Sequence, residues 1–93
     1  MHELEYHRRV EKALRKFPVQ RSGQILAALE KLAEAPDPSK ALHVKKMQGD
    51  SEGRWRLRIG EYRAIFKLVP DGEDETQFLI SVTHVGTRGD VYD

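Results

Sequence analysis

Apolar and polar positions alternate most strictly between Arg54 and Val69, RWRLRIGEYRAIFKLV, and the elements predicted for the rest of the chain arrange themselves around that stretch. Trp55, Leu57 and Ile59 are interleaved with Arg54, Arg56 and Arg58, the period of two that a strand with one buried face requires. Gly60-Glu61 then breaks the run. Glycine at the first central position suits a type II′ two-residue turn, whose twist matches that of the strands it joins. The pairing follows: Ile59 opposite Tyr62, Arg58 opposite Arg63, Leu57 opposite Ala64, Arg56 opposite Ile65. Arg54, Arg56, Arg58, Arg63 and Lys67 therefore share one face of the hairpin.

Like charges directly opposite one another destabilise a sheet, and nothing acidic alternates with these. An anion-binding face is thus expected ahead of an ordinary solvated one, because local rule-breaking tends to mark functional sites.

Upstream, His2–Tyr6 reads as a short first strand with Leu4 and Tyr6 on one side. From His7 the period becomes helical: Val10, Ala13, Leu14 and Phe17 lie on one side, and Arg8, Arg9, Lys12, Arg15 and Lys16 fill the other. Pro18 ends this helix, since proline lacks the donor and restricts the residue before it. A second helix runs from Val19 or Arg21 to Glu34 on a stripe of Ile25, Leu26, Leu29, Leu32 and Ala33, and Ala35–Pro38 (APDP) stops it. The segment from Ser39 to Gly53 reads as irregular, with Leu42, Val44 and Met47 tucked under the sheet and Lys40, Lys45 and Lys46 in water. Gln48–Gly53 is turn material. Pro70–Glu75 is an exposed acidic loop, and Thr76–Val85 is the next strand, with Phe78, Ile80, Val82 and His84 in one phase. Trp55 and Tyr62 fall with the buried face, as core rather than base-stacking platforms.

These elements predict an α+β domain: an N-terminal αα-hairpin packed on one face of a small, mainly antiparallel twisted β-sheet. Ninety-three residues make a single domain, 1–93. The chain has no cysteine, which excludes disulfides, thiolate nucleophiles and zinc-thiolate sites. Without a signal-peptide core or a membrane-spanning run, a cytoplasmic protein with no membrane partner is expected.

Net charge is only +1, but it is unevenly spread. Residues 40–67 hold eight Lys/Arg against three Asp/Glu, whereas residues 68–93 hold one against six. Either a basic and an acidic face are separated, or the tail partly neutralises the hairpin. His2, His7 and His43 have no partner at metal-ligand spacing, and no phosphate-cradling glycine loop is present. No cofactor is expected.

Three features together resemble the RelE/ParE superfamily of toxins from toxin–antitoxin pairs: the helical stretch Arg21–Pro36, the block WRLRIGEYRAIF at Trp55–Phe66, and the closing R.DVY at Arg88–Tyr92. The resemblance covers nearly the whole chain and is closer to the RelE branch. It implies a RelE-like fold and a ribosome-dependent endoribonuclease that cuts messenger RNA in the ribosomal A site. It implies as partners a cognate antitoxin, mRNA and the ribosome, and operator DNA through the antitoxin complex. By position Arg56, Arg58 and Arg63 match the family's basic residues and Tyr92 its C-terminal tyrosine; a further family arginine falls near Gly86, with Arg88 two residues on. The first two positions are often lysine in RelE-type nucleases. The other branch, ParE, poisons DNA gyrase without cutting nucleic acid, and a weak toxin retained for antitoxin and operator binding is a third reading.

Metal-free RNA cleavage needs a base for the 2′-hydroxyl, charge stabilisation at phosphorus and a proton for the 5′-oxygen. Guanidinium groups at Arg56, Arg58, Arg63 and Arg88 suit the second task, and Arg54, Lys45, Lys46 and Lys67 extend the RNA-binding surface. Arginine exchanges protons poorly near neutrality, which leaves Tyr92 and His84 for the other two. Without the resemblance, Tyr92 reads as an anchor for the tail, and a lone histidine such as His84 is more commonly a half-buried strand residue with a satisfied hydrogen bond.

Overall fold

The computed structural model describes residues 1–87. Along the chain come β1 (Glu3–Tyr6), α1 (Arg8–Lys16), α2 (Val19–Glu34), β2 (Val44–Lys46), β3 (Trp55–Ile59), β4 (Tyr62–Pro70) and β5 (Phe78–Thr87). The strands form one sheet in the order β1-β5-β4-β3-β2, antiparallel throughout except for the parallel β1–β5 pair. This is the α+β arrangement the periodicity predicts.

Each helix ends where its sequence says it should. The His7 ring accepts the Arg9 N–H to cap α1, and Phe17, before Pro18, is already extended (ψ 157°). Ser22 of α2 donates its hydroxyl to the Leu14 carbonyl, tying the second helix to the first. Val10, Ile25, Leu29, Leu32 and Ala33 pack on Leu57, Ala64, Phe66, Ile80, Val82 and Val85, so both helices cover one face of the sheet. Burying each valine, leucine, isoleucine or phenylalanine among them stabilises by about 1.5–3 kcal/mol. Tyr62 stacks against Phe17 at 5.0 Å and Trp55 packs at the margin of the core, as their phase predicts.

His2 closes the core at one end. It is 6% exposed; its backbone N–H donates to the Ala33 carbonyl (2.8 Å), its Nε2–H to the Ala35 carbonyl (2.8 Å), and its Nδ1 accepts the Phe78 N–H (3.1 Å). One imidazole thus satisfies groups at the end of α2 and the start of β5, a structural use of a histidine that spacing alone leaves idle.

Three expectations are corrected. The 39–53 segment is not wholly irregular: Pro38–Lys40 forms a short 3₁₀ turn capped by Asp37, and Val44–Lys46 adds an edge strand to β3. Leu42 does not tuck under the sheet; it is 81% exposed, because the turn that aims Val44 at the core, with His43 at φ 67°, leaves Leu42 outside. Finally, His84 does not continue the phase of Ile80 and Val82. Ile65 pairs with His84 and Phe66 with Val82, so Thr83 is an extra residue, a β-bulge. Beyond it the faces exchange: Val85 joins the core and His84 turns to the opposite side.

Candidate functional site

The β3–β4 hairpin has the register its turn predicts, with Gly60 at φ 61° and Arg58 opposite Arg63. The bulge adds β5 to the same surface. On the side away from the helices, three cross-strand rows result. One holds Arg58, Arg63 and Gly86; the next Lys45, Arg56, Ile65 and His84; the third Lys67, Ser81 and Glu5, with Arg54 just before β3 beside Lys67. Ile65 is only 2% exposed although it lies outside the helix-side core, seated between Arg56 and His84 in its row. Lys46 stands apart from the rest. It is paired with Trp55 and lies over that ring at 5.6 Å, on the helix side of the sheet.

Arg54 and Lys67 are paired with acids of the preceding turn. Arg54 makes a bidentate pair with Asp50, Nη2 to Oδ1 at 2.8 Å and Nε to Oδ2 at 3.1 Å, while its own N–H donates to Oδ2 at 2.8 Å. Those side-chain and backbone bonds hold the Asp50 carboxyl down at about 2. Lys67 pairs with Glu52 at 2.7 Å, and that contact lowers the Glu52 carboxyl too. The acids that fail to alternate with the arginines therefore arrive from the preceding turn. Arg58 is exposed and makes no side-chain ion pair among the described residues.

His84 sits beside this surface with every ring nitrogen engaged. Its Nδ1 lies 3.0 Å from the Thr83 hydroxyl, which itself donates to the Ile65 carbonyl (3.3 Å), and its Nε2 lies 2.7 Å from Nη1 of Arg9. Guanidinium only donates, and the Thr83 proton is committed elsewhere; the network assigns the Nδ1–H tautomer, with Nε2 unprotonated. Burial first, then the Arg9 charge, lowers the His84 pKa below its ordinary value. The neutral ring is thus the favoured form.

A separate apolar groove of about 610 Å³ lies between α2 and the open end of β3, floored by Ala28, Leu32, Leu57 and Ile59 and rimmed by Lys31, Leu42 and Arg58. No cluster of metal-ligating side chains occurs among the described residues, and no described helix is long and apolar enough to cross a membrane.

Residues 4–92 match the family model described as ParE toxin of type II toxin–antitoxin system, parDE. The chain belongs to this family of RelE/ParE toxins. Similar solved structures include the archaeal RelE–RelB complex from Pyrococcus horikoshii OT3, at 25% identity over 97% of this chain and 98% of that one, TM-score 0.68. The intact Escherichia coli RelBE complex is 22% identical over 94% and 96%, TM-score 0.64. A YoeB/ParE toxin from Agrobacterium tumefaciens is 16% identical over 91% and 97%, TM-score 0.70. The last two establish the fold alone. No curated protein matches the chain.

The structure thus brings Arg54, Arg56, Arg58, Arg63, Lys45, Lys67 and His84 of the toxin onto one surface and places Lys46 on the other; Arg88 and Tyr92 lie outside the described residues. Sequence reasoning missed Arg9, which reads as one more cation on the wet side of α1, and Thr83. The available signal was the poor alternation after Val82, where Thr83, His84 and Val85 fit no single face.

Proposed function

We propose that this toxin is an endoribonuclease that cleaves messenger RNA presented by the ribosome, by attack of a 2′-hydroxyl on the adjacent phosphate. The observation that carries this reading is that the bulge turns His84, with an unprotonated Nε2, onto the arginine surface. His84 takes the 2′-hydroxyl proton as the 2′-oxygen bonds to phosphorus. Arg56, Arg58 and Arg63 hold the negative charge that builds on the phosphoryl oxygens, where each preorganised donor is worth about 2.7–4 kcal/mol. The bond to the 5′-oxygen breaks, leaving a 2′,3′-cyclic phosphate, and Tyr92 supplies the leaving oxygen's proton in the role the family resemblance implies. Arg54 and Lys67, held by Asp50 and Glu52, shape the margin of the surface; Lys45 extends it toward the RNA. Among the described residues no aromatic platform faces this side, so base preference comes from how the ribosome presents the strand.

The restraining partner is a cognate antitoxin, as in the RelE–RelB complexes among the similar structures. An acidic, amphipathic segment folding on binding would bury Leu42 and the apolar groove while pairing with Lys31 and Arg58. Contact of that complex with operator DNA belongs to the same reading.

The test is cleavage of a defined messenger in a purified translation system by wild type, Arg63→Ala, His84→Gln and Tyr92→Phe, with naked RNA as control. Ribosome-dependent cutting that falls at least a hundredfold in each variant supports the reading; uncut RNA with growth still arrested overturns it. The match to the ParE family favours one alternative, inhibition of DNA gyrase by contact, which a supercoiling assay reads directly.

A further inference from the structure

His84 is blocked in the resting toxin by a residue from the other end of the chain. β1 pairs with β5 only as far as Val82, whose carbonyl accepts the His7 N–H at 2.9 Å; there the chain turns into α1, and its first turn reaches β5 at His84. Arg9, two residues on, places Nη1 2.7 Å from Nε2 of His84. The rest of its guanidinium is steadied by the His7 ring, with Nε donating to Nδ1 at 3.1 Å. Arg9 thereby occupies the one lone pair with which His84 could take a proton. Behind the ring, the bulge residue Thr83 fixes the opposite nitrogen as the protonated one.

Resting on the nuclease reading, we infer that Arg9 is a substrate-operated latch on His84 and Thr83 its positioning residue: an incoming phosphate draws the Arg9 guanidinium off Nε2, which frees the imidazole to act. The exchange is physically matched. A phosphate oxyanion is a far stronger acceptor for guanidinium than a neutral imidazole, and bidentate donation suits it. Once His84 has taken a proton, moreover, an Arg9 still at 2.7 Å would face a second cation, so proton uptake and release of Arg9 favour each other. Without phosphate the latch keeps the ring neutral and occupied. With phosphate, the departing charge raises the basicity of Nε2 at the moment the 2′-hydroxyl arrives. Among the described residues, the other charged groups facing His84 are His7 on α1, Arg54 and Glu52 ahead of β3, and Arg56 in its own row, while Nε2 itself meets Arg9.

The test follows the His84 ring by nitrogen-15 and carbon-13 NMR in wild type, Arg9→Gln, Thr83→Val and Thr83→Ser, with sulfate as a doubly charged probe that does not itself titrate near neutrality. In wild type the Nδ1–H tautomer should dominate, and saturating sulfate should raise the His84 pKa by at least half a unit. Arg9→Gln should raise it by a similar amount without sulfate and abolish the response to it. Thr83→Val should mix the tautomers, and Thr83→Ser should restore one. A wild-type ring with the proton on Nε2, a sulfate response that survives in Arg9→Gln, or one tautomer retained in Thr83→Val overturns the latch. These readouts require no cleavage, so a toxin that shows all of them yet cuts no messenger on the ribosome overturns the nuclease reading and leaves Arg9 as an anion-responsive contact.

Discussion

Arg58 and Arg63 stand directly opposite one another across the β3–β4 pair, their side chains on the same face and next to Gly86. A like-charge pair at this separation costs about 0.2–1 kcal/mol, and opposite charges there return a similar amount. Arg58→Glu should therefore stabilise the fold, by about 0.5–1.5 kcal/mol in urea denaturation, while messenger cleavage falls steeply. A variant that loses stability would show that the pair is not in conflict.

The Asp50–Arg54 pair makes stability depend on acid. With its carboxyl held at about 2, Asp50 stays ionised in the folded toxin well below the point at which it protonates in the unfolded chain, near 3.9. The unfolded state then binds the extra proton, so this contribution is complete above pH 4 and fades as pH falls toward 2. Asp50→Asn should flatten the stability profile across that window while leaving its shape above pH 5 unchanged. Thermal denaturation between pH 2 and 6 reads the difference.

His2 engages Ala33, Ala35 and Phe78 at once, and its ring also lies 5.7 Å from that of Phe78. Replacing it with alanine removes a buried donor and acceptor and leaves two backbone groups without their side-chain partner, at about 1–3 kcal/mol. His2→Ala should unfold at lower urea with an unchanged slope; an unaltered midpoint would show that water replaces the ring without cost.

Thr83 is the extra residue of β5, so its deletion would leave Val82 opposite Phe66 and His84 opposite Ile65 in an unbroken ladder, with Val85 still in the core. Deletion of Ser81 instead displaces Ile80 or Val82, both fully buried, from the helix-facing side. The toxin lacking Thr83 should therefore fold cooperatively, and the one lacking Ser81 should not. Circular dichroism on heating separates the two.

Much of the site was visible as pattern. The strict alternation at Trp55–Ile59 and a glycine suited to a tight turn were enough to place Arg56, Arg58 and Arg63 on one surface, because a two-residue loop admits a single register. His84 was misplaced because a bulge leaves only a blurred alternation in one strand, and the strand's phase was carried through it. The partners of Arg54 and Lys67 escaped for another reason: Asp50 and Glu52 lie in a turn, where no fixed repeat says which way a side chain points.

The chain by itself determined its helices, with their proline-marked ends, the hairpin and its basic face, and membership in a toxin family. All of these rest on local geometry with a fixed period, or on residues close together in sequence. Only the tertiary structure decided which face carries His84, that Arg9 reaches it across a separation of 75 residues, and that His2 belongs to the core. Those outcomes depend on where β1 stops pairing with β5 and how α1 and the end of α2 then lie against it. Such closure energies involve elements far apart in the chain, and periodicity does not record them.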